Sequence, residues 1–213
     1  GGADQARFNI DASTGVLSFI SAPDYETPGD AGADNVYDVT VEVSDGSLTA
    51  TQAIAVTITA VSDIAPVISS DGGGASASIG VAENSVVVTT VIATDADLPT
   101  QALTYSIAGG ADAGRFAIDA STGALSFVAA PDYEAPGDAN ADNVYDVIVQ
   151  VSDGNLTDTQ AIAVTVSAVN DNAPVITSNG GGATATLSLA ENSTGGTNVS
   201  ASDADALDVL RFA

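Results

Sequence analysis

The fold class follows most directly from residues 145–152, which read Tyr-Asp-Val-Ile-Val-Gln-Val-Ser. In an extended chain the tyrosine and the three valines at odd positions share one face, and the polar residues at 146, 150 and 152 share the other. Residues 37–44 read Tyr-Asp-Val-Thr-Val-Glu-Val-Ser and keep the same division. This alternation predicts strands of an antiparallel sheet with one face buried and one face in solvent.

These two stretches belong to a repeat with a period of 108 residues. Between residues 1–97 and residues 109–205, 68 of the 97 aligned positions are identical, which excludes chance similarity. The Ala-Pro pairs at 65–66 and 173–174 are the natural boundaries of the repeat. We therefore predict a partial repeat over residues 1–64, a complete repeat over 65–172 and a partial repeat over 173–213, as in a segment of a longer array.

The complete repeat contains several short strand patterns separated by turn signals. The Asp-Gly pair at 153–154 marks one such turn, and the turn at 119–123 separates two further strands. The predicted strands lie near residues 78–82, 87–94, 103–107, 116–118, 125–127, 145–152 and 161–166. This spacing predicts an all-β protein built of tandem immunoglobulin-like Greek-key β-sandwiches of about seven strands.

The charge of the chain is extreme. Asp and Glu number 28, Lys and Arg number 3, and the net charge is −25. Such a polyanion repels nucleic acid and attracts cations, so we expect no nucleic-acid partner. No apolar run reaches 18 residues, so we expect no membrane insertion in this segment. Cys is absent, and a metal is the usual substitute for disulfides in small secreted domains.

The composition argues against an enzyme. Without His or Cys, neither a Ser-His nor a Cys-His nucleophile can form. A pair of carboxylates could in principle hydrolyse glycosides, but here the same pairs recur in each repeat, which is not expected of a catalytic centre. We therefore predict no catalytic residue and no organic cofactor.

Several carboxylates occur in pairs two residues apart, as in Asp95 with Asp97 and Asp132 with Glu134. In an extended segment such side chains point the same way, about 6.5–7 Å apart, and repel each other. A hard divalent cation relieves this repulsion, because Ca²⁺ takes six to eight oxygen ligands. The pairs therefore favour a metal site.

Five motifs in one order resemble a known family. They are Val81-Ala82-Glu83-Asn84, Asp95-Ala96-Asp97, Pro131-Asp132-Tyr133-Glu134, Val151-Ser152-Asp153-Gly154 and Asn170-Asp171-Asn172-Ala173-Pro174. In order and spacing the repeat resembles a cadherin repeat, and specifically the cadherin-like repeats of large bacterial surface adhesins. The resemblance extends over essentially the whole chain.

The resemblance implies Ca²⁺ between successive repeats. After the complete repeat it implies the ligands Glu83, Asp132, Glu134, Asn170, Asp171, the carbonyl of Asn172, Asp203 and Asp205. Before the complete repeat it implies Asp24, Glu26, Ser62, Asp63, the carbonyl of Ile64, Asp95, Asp97 and Asp153. The chain departs from the family at Ala60 and Ala168, where the family linker has Asp, and at Ser62 and Ile64, where it has Asn.

The resemblance further implies a calcium-binding extracellular stalk or adhesion segment of a large surface or secreted protein. The implied partners are neighbouring repeats joined through calcium, with other cell-surface proteins or glycans as candidates, and homophilic adhesion is the implied mode of contact. Two alternatives stay open: a carbohydrate- or matrix-binding module and an accessory domain of a secreted hydrolase. A binding module should show an aromatic platform facing solvent, and the ten Phe and Tyr residues fall mostly at inward positions.

Overall fold

The computed structural model describes residues 1–205 and 209–213. These residues form two compact units, one of residues 1–67, 93–103 and 152–158, the other of residues 68–92, 104–151 and 159–213. Neither unit contains an α-helix in the described part of the chain, and no helix there is long and apolar enough to cross a membrane. The predicted all-β class is confirmed.

The strands are short and closely spaced. They are β1 (Phe8–Ile10), β2 (Leu17–Phe19), β3 (Val36–Ser44), β4 (Thr49–Thr57), β5 (Val67–Ile68), β6 (Ser76–Ala82), β7 (Val87–Thr90), β8 (Ala93–Thr94), β9 (Thr104–Gly109), β10 (Phe116–Ile118), β11 (Ala124–Phe127), β12 (Val144–Ser152), β13 (Thr157–Ser167), β14 (Val175–Ile176) and β15 (Ala201–Ser202). One-turn 3-10 helices lie at Gln5–Arg7, Ala113–Arg115 and Ser178–Gly180.

Two sheets carry the fold of the second unit. One has the strand order β6-β13-β12-β9 and the other the order β10-β11-β7. Their seven strands match the predicted number. Two details differ from the sequence prediction: the stretch 87–94 is divided into β7 and β8, and β6 pairs with β13 in parallel, with Ile79 opposite Val164.

The core of the second unit lies on the predicted face of β12 and β13. Val147, Val149 and Val151 of β12 and the alternating apolar residues of β13 are all 2% exposed or less. Full burial of such a side chain contributes roughly 1.5–3 kcal/mol. The core also contains Phe116 and Phe127, whose rings stack with centroids 4.6 Å apart.

The first unit repeats part of this arrangement. β1 pairs with β2, β3 pairs with β4, and Tyr37 packs edge-on against Phe19. The sequence prediction for the end of β3 is wrong: Val43 is 70% exposed, whereas Val151, 108 positions later, is fully buried. The reason is that β6 and β7 have no counterparts in the printed sequence at positions 108 residues earlier.

Candidate metal centre

Glu83 directly follows β6 and is 3% exposed. Its two carboxylate oxygens accept hydrogen bonds from the backbone N–H of Tyr133, at 2.7 Å, and of Val169, at 2.6 Å. One buried carboxylate thus fixes two separate segments of the second unit, the loop after β11 and the segment after β13. Charge-assisted bonds of this kind are short and strong.

Asp132 and Glu134 lie in the loop between β11 and β12. The sequence argument placed such pairs in extended chain, and the structure corrects this: Oδ1 of Asp132 accepts the N–H groups of Glu134 and Ala135, both at 3.1 Å, and closes an Asx turn. Asp95 with Asp97 and Asp203 with Asp205 form the same first bond. The pairs come close together through turns and not through strand geometry.

Two acidic clusters lie in the second unit. The Glu83 cluster consists of Glu83, Asp132 and Glu134, and the Asp171 cluster consists of Glu134, Asp171 and Asp205. In each cluster one carboxylate oxygen from every member lies within 4.8 Å of the others. Glu134 belongs to both clusters, so its carboxylate connects them.

Glu134 has no compensating contact in the described part of the chain. Both of its carboxylate oxygens are buried and neither has a hydrogen-bond partner. Desolvation raises the pKa of Glu134, and the negative charges of Glu83, Asp205 and Asp171 raise it further. Buried polar groups are normally satisfied, so two unpaired oxygens among like charges are the arrangement that a cation would stabilise.

The segment Asn170–Asn172 brings the linker to the Asp171 cluster. The backbone N–H and the side-chain amide of Asn172 donate to the two oxygens of Asp205, each at 3.0 Å. Asp171 accepts from the side chains of Asn172, at 2.8 Å, and of Asn84, at 2.5 Å. The sequence motif around residue 83 included Asn84 without assigning it a role, and the structure gives it one.

Two equivalent clusters lie in the first unit. The Glu26 cluster consists of Glu26, Asp63 and Asp97, and the Asp153 cluster consists of Asp95, Asp97 and Asp153. Asp97 is fully buried and connects the two clusters, as Glu134 does in the second unit. Oδ2 of Asp95 is buried without a hydrogen-bond partner.

Backbone and linker groups hold this pair of clusters. Asp97 accepts from the N–H of Ile64 at 3.2 Å, and Ser62 donates its hydroxyl to Asp153 at 3.2 Å. The N–H of Leu98 donates to Glu26 at 3.0 Å. Backbone bonds from Leu156 and Asn155, with a smaller contribution from Ser62, lower the pKa of Asp153.

Ten of the twelve carboxylates that the sequence selected are members of these four clusters, and the clusters contain no other acidic residue. The two exceptions are Asp24 and Asp203. Their equivalents, Asp132 and Asp95, each cluster with a residue, Glu83 or Asp153, whose counterpart 108 positions away falls outside the printed sequence.

Sequence reasoning missed the carboxylates and amides that support the loops. Asp112 is 6% exposed and accepts the N–H groups of Ala139 and Asp146. Asn143, at φ 63°, donates its side-chain amide to the carbonyl of Tyr133 and so fixes the loop that carries Glu134. The signal that could have found them is their recurrence as Asp4 and Asn35.

The donor set suits a hard divalent cation. Every cluster offers carboxylate oxygens only, and Ca²⁺ and Mg²⁺ both prefer oxygen ligands. The unpaired oxygens of Asp95 and Glu134 fit this requirement. The irregular loops around the clusters agree better with the flexible coordination of Ca²⁺ than with the strict octahedron of Mg²⁺.

Comparison with known proteins agrees with this description. Residues 77–167 match the family model described as Cadherin domain. Protocadherin Fat 1 of Homo sapiens is 33% identical over 184 residues, which is 82% of this chain and 4% of that protein. Protocadherin Fat 2 of Mus musculus is 31% identical over the same shares. The chain therefore spans only about 4% of the length of these curated relatives.

Solved structures show the same fold. The crystal structure of mouse Protocadherin-24 EC1-3 has a TM-score of 0.67 at 22% identity, over 96% of this chain and 65% of that chain. The Protocadherin GammaB4 extracellular domain has a TM-score of 0.59 at 25% identity, over 96% of this chain and 33% of that chain. The chain thus has the β-sandwich fold of cadherin extracellular repeats.

Proposed function

We propose that this chain is a cadherin-type segment whose acidic clusters bind Ca²⁺ and thereby stiffen an extracellular stalk or adhesion protein. The observation that carries the proposal is the pair of connecting carboxylates, Glu134 and Asp97, each shared by two clusters in its own unit. A single shared carboxylate between two acidic clusters is suited to bridging two cations. The match of residues 77–167 to the cadherin domain family supports the same conclusion.

The proposed ligands are the residues that the sequence selected. The four clusters supply the carboxylates, while Ser62, Asn170 and the carbonyls of Ile64 and Asn172 supply neutral oxygens from the linkers. Bound Ca²⁺ supplies positive charge that offsets the repulsion among these carboxylates. Glu83 positions the loop of Asp132 and the segment after β13 through its two short hydrogen bonds.

The domain division follows from the same proposal. We place the complete repeat at residues 65–172, between partial repeats at 1–64 and 173–213. The extent of the family match, residues 77–167, and the 108-residue period support these bounds. The bounds differ from those of the compact units, because the linker acids are packed with the clusters that they complete.

The wider role is also a proposal. Relatives with cadherin names and the absence of His and Cys support an extracellular, non-enzymatic adhesion role, with neighbouring repeats as partners through calcium. Homophilic contact is a further part of this proposal. The relatives reported above are animal proteins, so the bacterial origin that the motifs indicated stays a prediction.

The direct test is thermal unfolding and small-angle scattering of the chain in millimolar Ca²⁺ and in chelator. Ligand binding to the native state raises stability by mass action, and at a concentration 100 times the dissociation constant the gain is about 2.7 kcal/mol. We expect a higher melting temperature and a more extended, stiffer particle in Ca²⁺. Unchanged melting and unchanged scattering would contradict the proposal, and equal effects of Mg²⁺ would contradict its specificity.

A further inference from the structure

A second kind of cavity recurs in both units outside the acidic clusters. In the second unit a cavity of about 240 Å³ lies against Arg115, Phe127, Pro131, Gly137 and Tyr145. In the first unit a cavity of about 210 Å³ lies against the residues 108 positions earlier, Arg7, Phe19, Pro23, Gly29 and Tyr37. The recurrence shows that the repeat sequence builds the cavity, and that it is not an accident of one loop.

Two hydrogen-bond donors without acceptors line each cavity. The guanidinium of Arg115 makes no hydrogen bond or ion pair in the described part of the chain, although the chain carries 28 acidic residues. The hydroxyl of Tyr145, which is 2% exposed, accepts the N–H of Gly137 at 3.0 Å, and its own hydrogen has no acceptor among the described residues. A buried donor without an acceptor is costly and indicates a missing partner.

Gly137 brings the two donors together. A Cβ atom placed on Gly137 would lie 3.5 Å from the Tyr145 hydroxyl and 3.6 Å from both Cζ and Nη2 of Arg115. At Gly29 the corresponding distances are 3.4 Å to the Tyr37 hydroxyl and 3.3 Å to Nη2 of Arg7. The guanidinium and the hydroxyl therefore converge over an open spot that a larger residue would occupy.

The chemistry of the cavity selects its occupant. A guanidinium pairs best with a planar carboxylate, through two parallel hydrogen bonds. Phe127 and Pro131 provide an apolar wall, and the cavity is below the roughly 300–1,000 Å³ of drug-sized sites, so it admits a single ring. We propose that the cavities beside Arg7 and Arg115 bind a carboxylate-bearing sugar, a uronate, as a weak site repeated along the chain.

Repetition gives such a site its use. A single site of this size should be weak, with a dissociation constant of the order of millimolar. Sites that recur at each repeat can engage one polymer of acidic sugars together, and linked sites exceed the single-site affinity by about 10²–10⁴. The glycan alternative from the sequence thus becomes a defined cavity, where an aromatic platform was expected: Phe212 is the one strongly exposed aromatic residue in the described part of the chain.

The test is a titration of the ¹⁵N-labelled chain with sodium glucuronate, followed by the amide signals of Gly29 and Gly137. We expect both signals to shift at millimolar glucuronate and to stay in place with glucose, glutamate or sodium chloride. Shifts with glutamate as large as those with glucuronate would overturn the sugar assignment, and no shift with glucuronate would overturn the site. The titration is repeated in chelator, because Asp132 also borders the cavity: binding there shows that the site does not depend on calcium.

Variants separate ligand binding from a structural role of Arg115. Arg115→Gln should weaken binding at Gly137 by roughly 10–100-fold, since bonds to charged groups are the strong ones, while Gly29 still responds. Gly137→Ala should block the Gly137 site by filling it at ordinary contact distance. Gly80→Ala on β6, where a Cβ meets nothing within 4 Å, is the matched control. Unaltered binding in Arg115→Gln and Gly137→Ala would contradict the proposal.

Discussion

Individual carboxylates in this chain differ in whether their oxygens have donors. Asp112 accepts two backbone N–H groups at 2.7 and 2.9 Å, so its charge serves the fold. Oδ1 of Asp119 accepts the N–H groups of Ser121 and Thr122 together with the Ser121 hydroxyl. Glu134, in contrast, has two buried oxygens and no donor among the described residues. The supply of donors, more than acidity as such, separates structural from metal-binding carboxylates.

The first prediction concerns Asp119 and pH. Hydrogen bonds from the Ser121 side chain and then from the backbone of Thr122 and Ser121 lower the pKa of Asp119 to about 2. The unfolded value is about 3.9, so the stabilisation is fully present above that pH and is lost as the pH falls through about 2. Asp119→Asn should therefore lower the melting temperature at pH 7 and much less at pH 2. A difference that is the same at both pH values would refute the assignment.

The second prediction concerns Glu134. Glu134→Gln removes one negative charge from a site shared by two acidic clusters and provides an amide that can donate to its neighbours. Without calcium the variant should melt at a higher temperature than the wild type. Its calcium response should be weaker, with affinity lower by at least about tenfold, the size of effect common for altered metal-site shells. Calorimetry and melting curves with and without chelator measure both effects, and a variant that is less stable without calcium would count against the account.

At the scale of elements, strand alternation was the most predictable feature. β12 and β13 expose and bury their residues as a period of two requires, so the sequence alone located the core face. The parallel pairing of β6 with β13 was not predictable, because pairing direction depends on a partner about 85 residues away. The turns of the Asp-x-Asp and Asp-Tyr-Glu motifs were also missed, because short acidic motifs are compatible with both extended chain and Asx turns.

The third prediction tests that core face. Val149→Asp places a charge at a fully buried position of β12 and should destabilise the fold by roughly 4–5 kcal/mol or more. Ile148→Asp, at the adjacent position and 37% exposed, is the matched control and should stay within about 1 kcal/mol of the wild type. Circular dichroism with denaturant unfolding measures the difference. Similar losses in both variants would show that the two faces of β12 are not distinct.

At the scale of the whole molecule, the repeat makes the same chemistry recur with small differences. The sequence predicted nearly all cluster members, because the motifs recur in order at the 108-residue period. It did not predict the supporting residues Asp112, Asp138 and Asn143, because single polar residues in loops carry no pattern that sets them apart. A net charge of −25 is consistent with a molecule whose acidic loops are neutralised by bound cations.

The fourth prediction compares the two linkers. The first offers Ser62 where the second offers Asn170, and an amide oxygen is a better and longer-reaching ligand for Ca²⁺ than a hydroxyl. In the first unit Ser62 donates to Asp153. We expect weaker calcium binding at the Asp153 cluster than at the Asp171 cluster, and tighter binding there in Ser62→Asn. Calorimetry of the wild type and the variant provides the comparison, and an unchanged or reduced affinity in Ser62→Asn would show that the linker residue does not set affinity.

The most direct test of the central claim is a calcium titration of the ¹⁵N-labelled chain, resolved by residue. The account predicts saturable shifts of the amide signals of Asp97, Glu134 and Asp205, which lie in the acidic clusters. It predicts no such shifts at Ser13 and Ser121, whose amides are bonded to the structural carboxylates of Asp11 and Asp119. Shifts spread evenly over all acidic loops, without saturation, would contradict it and reduce the clusters to a general attraction of cations by a polyanion.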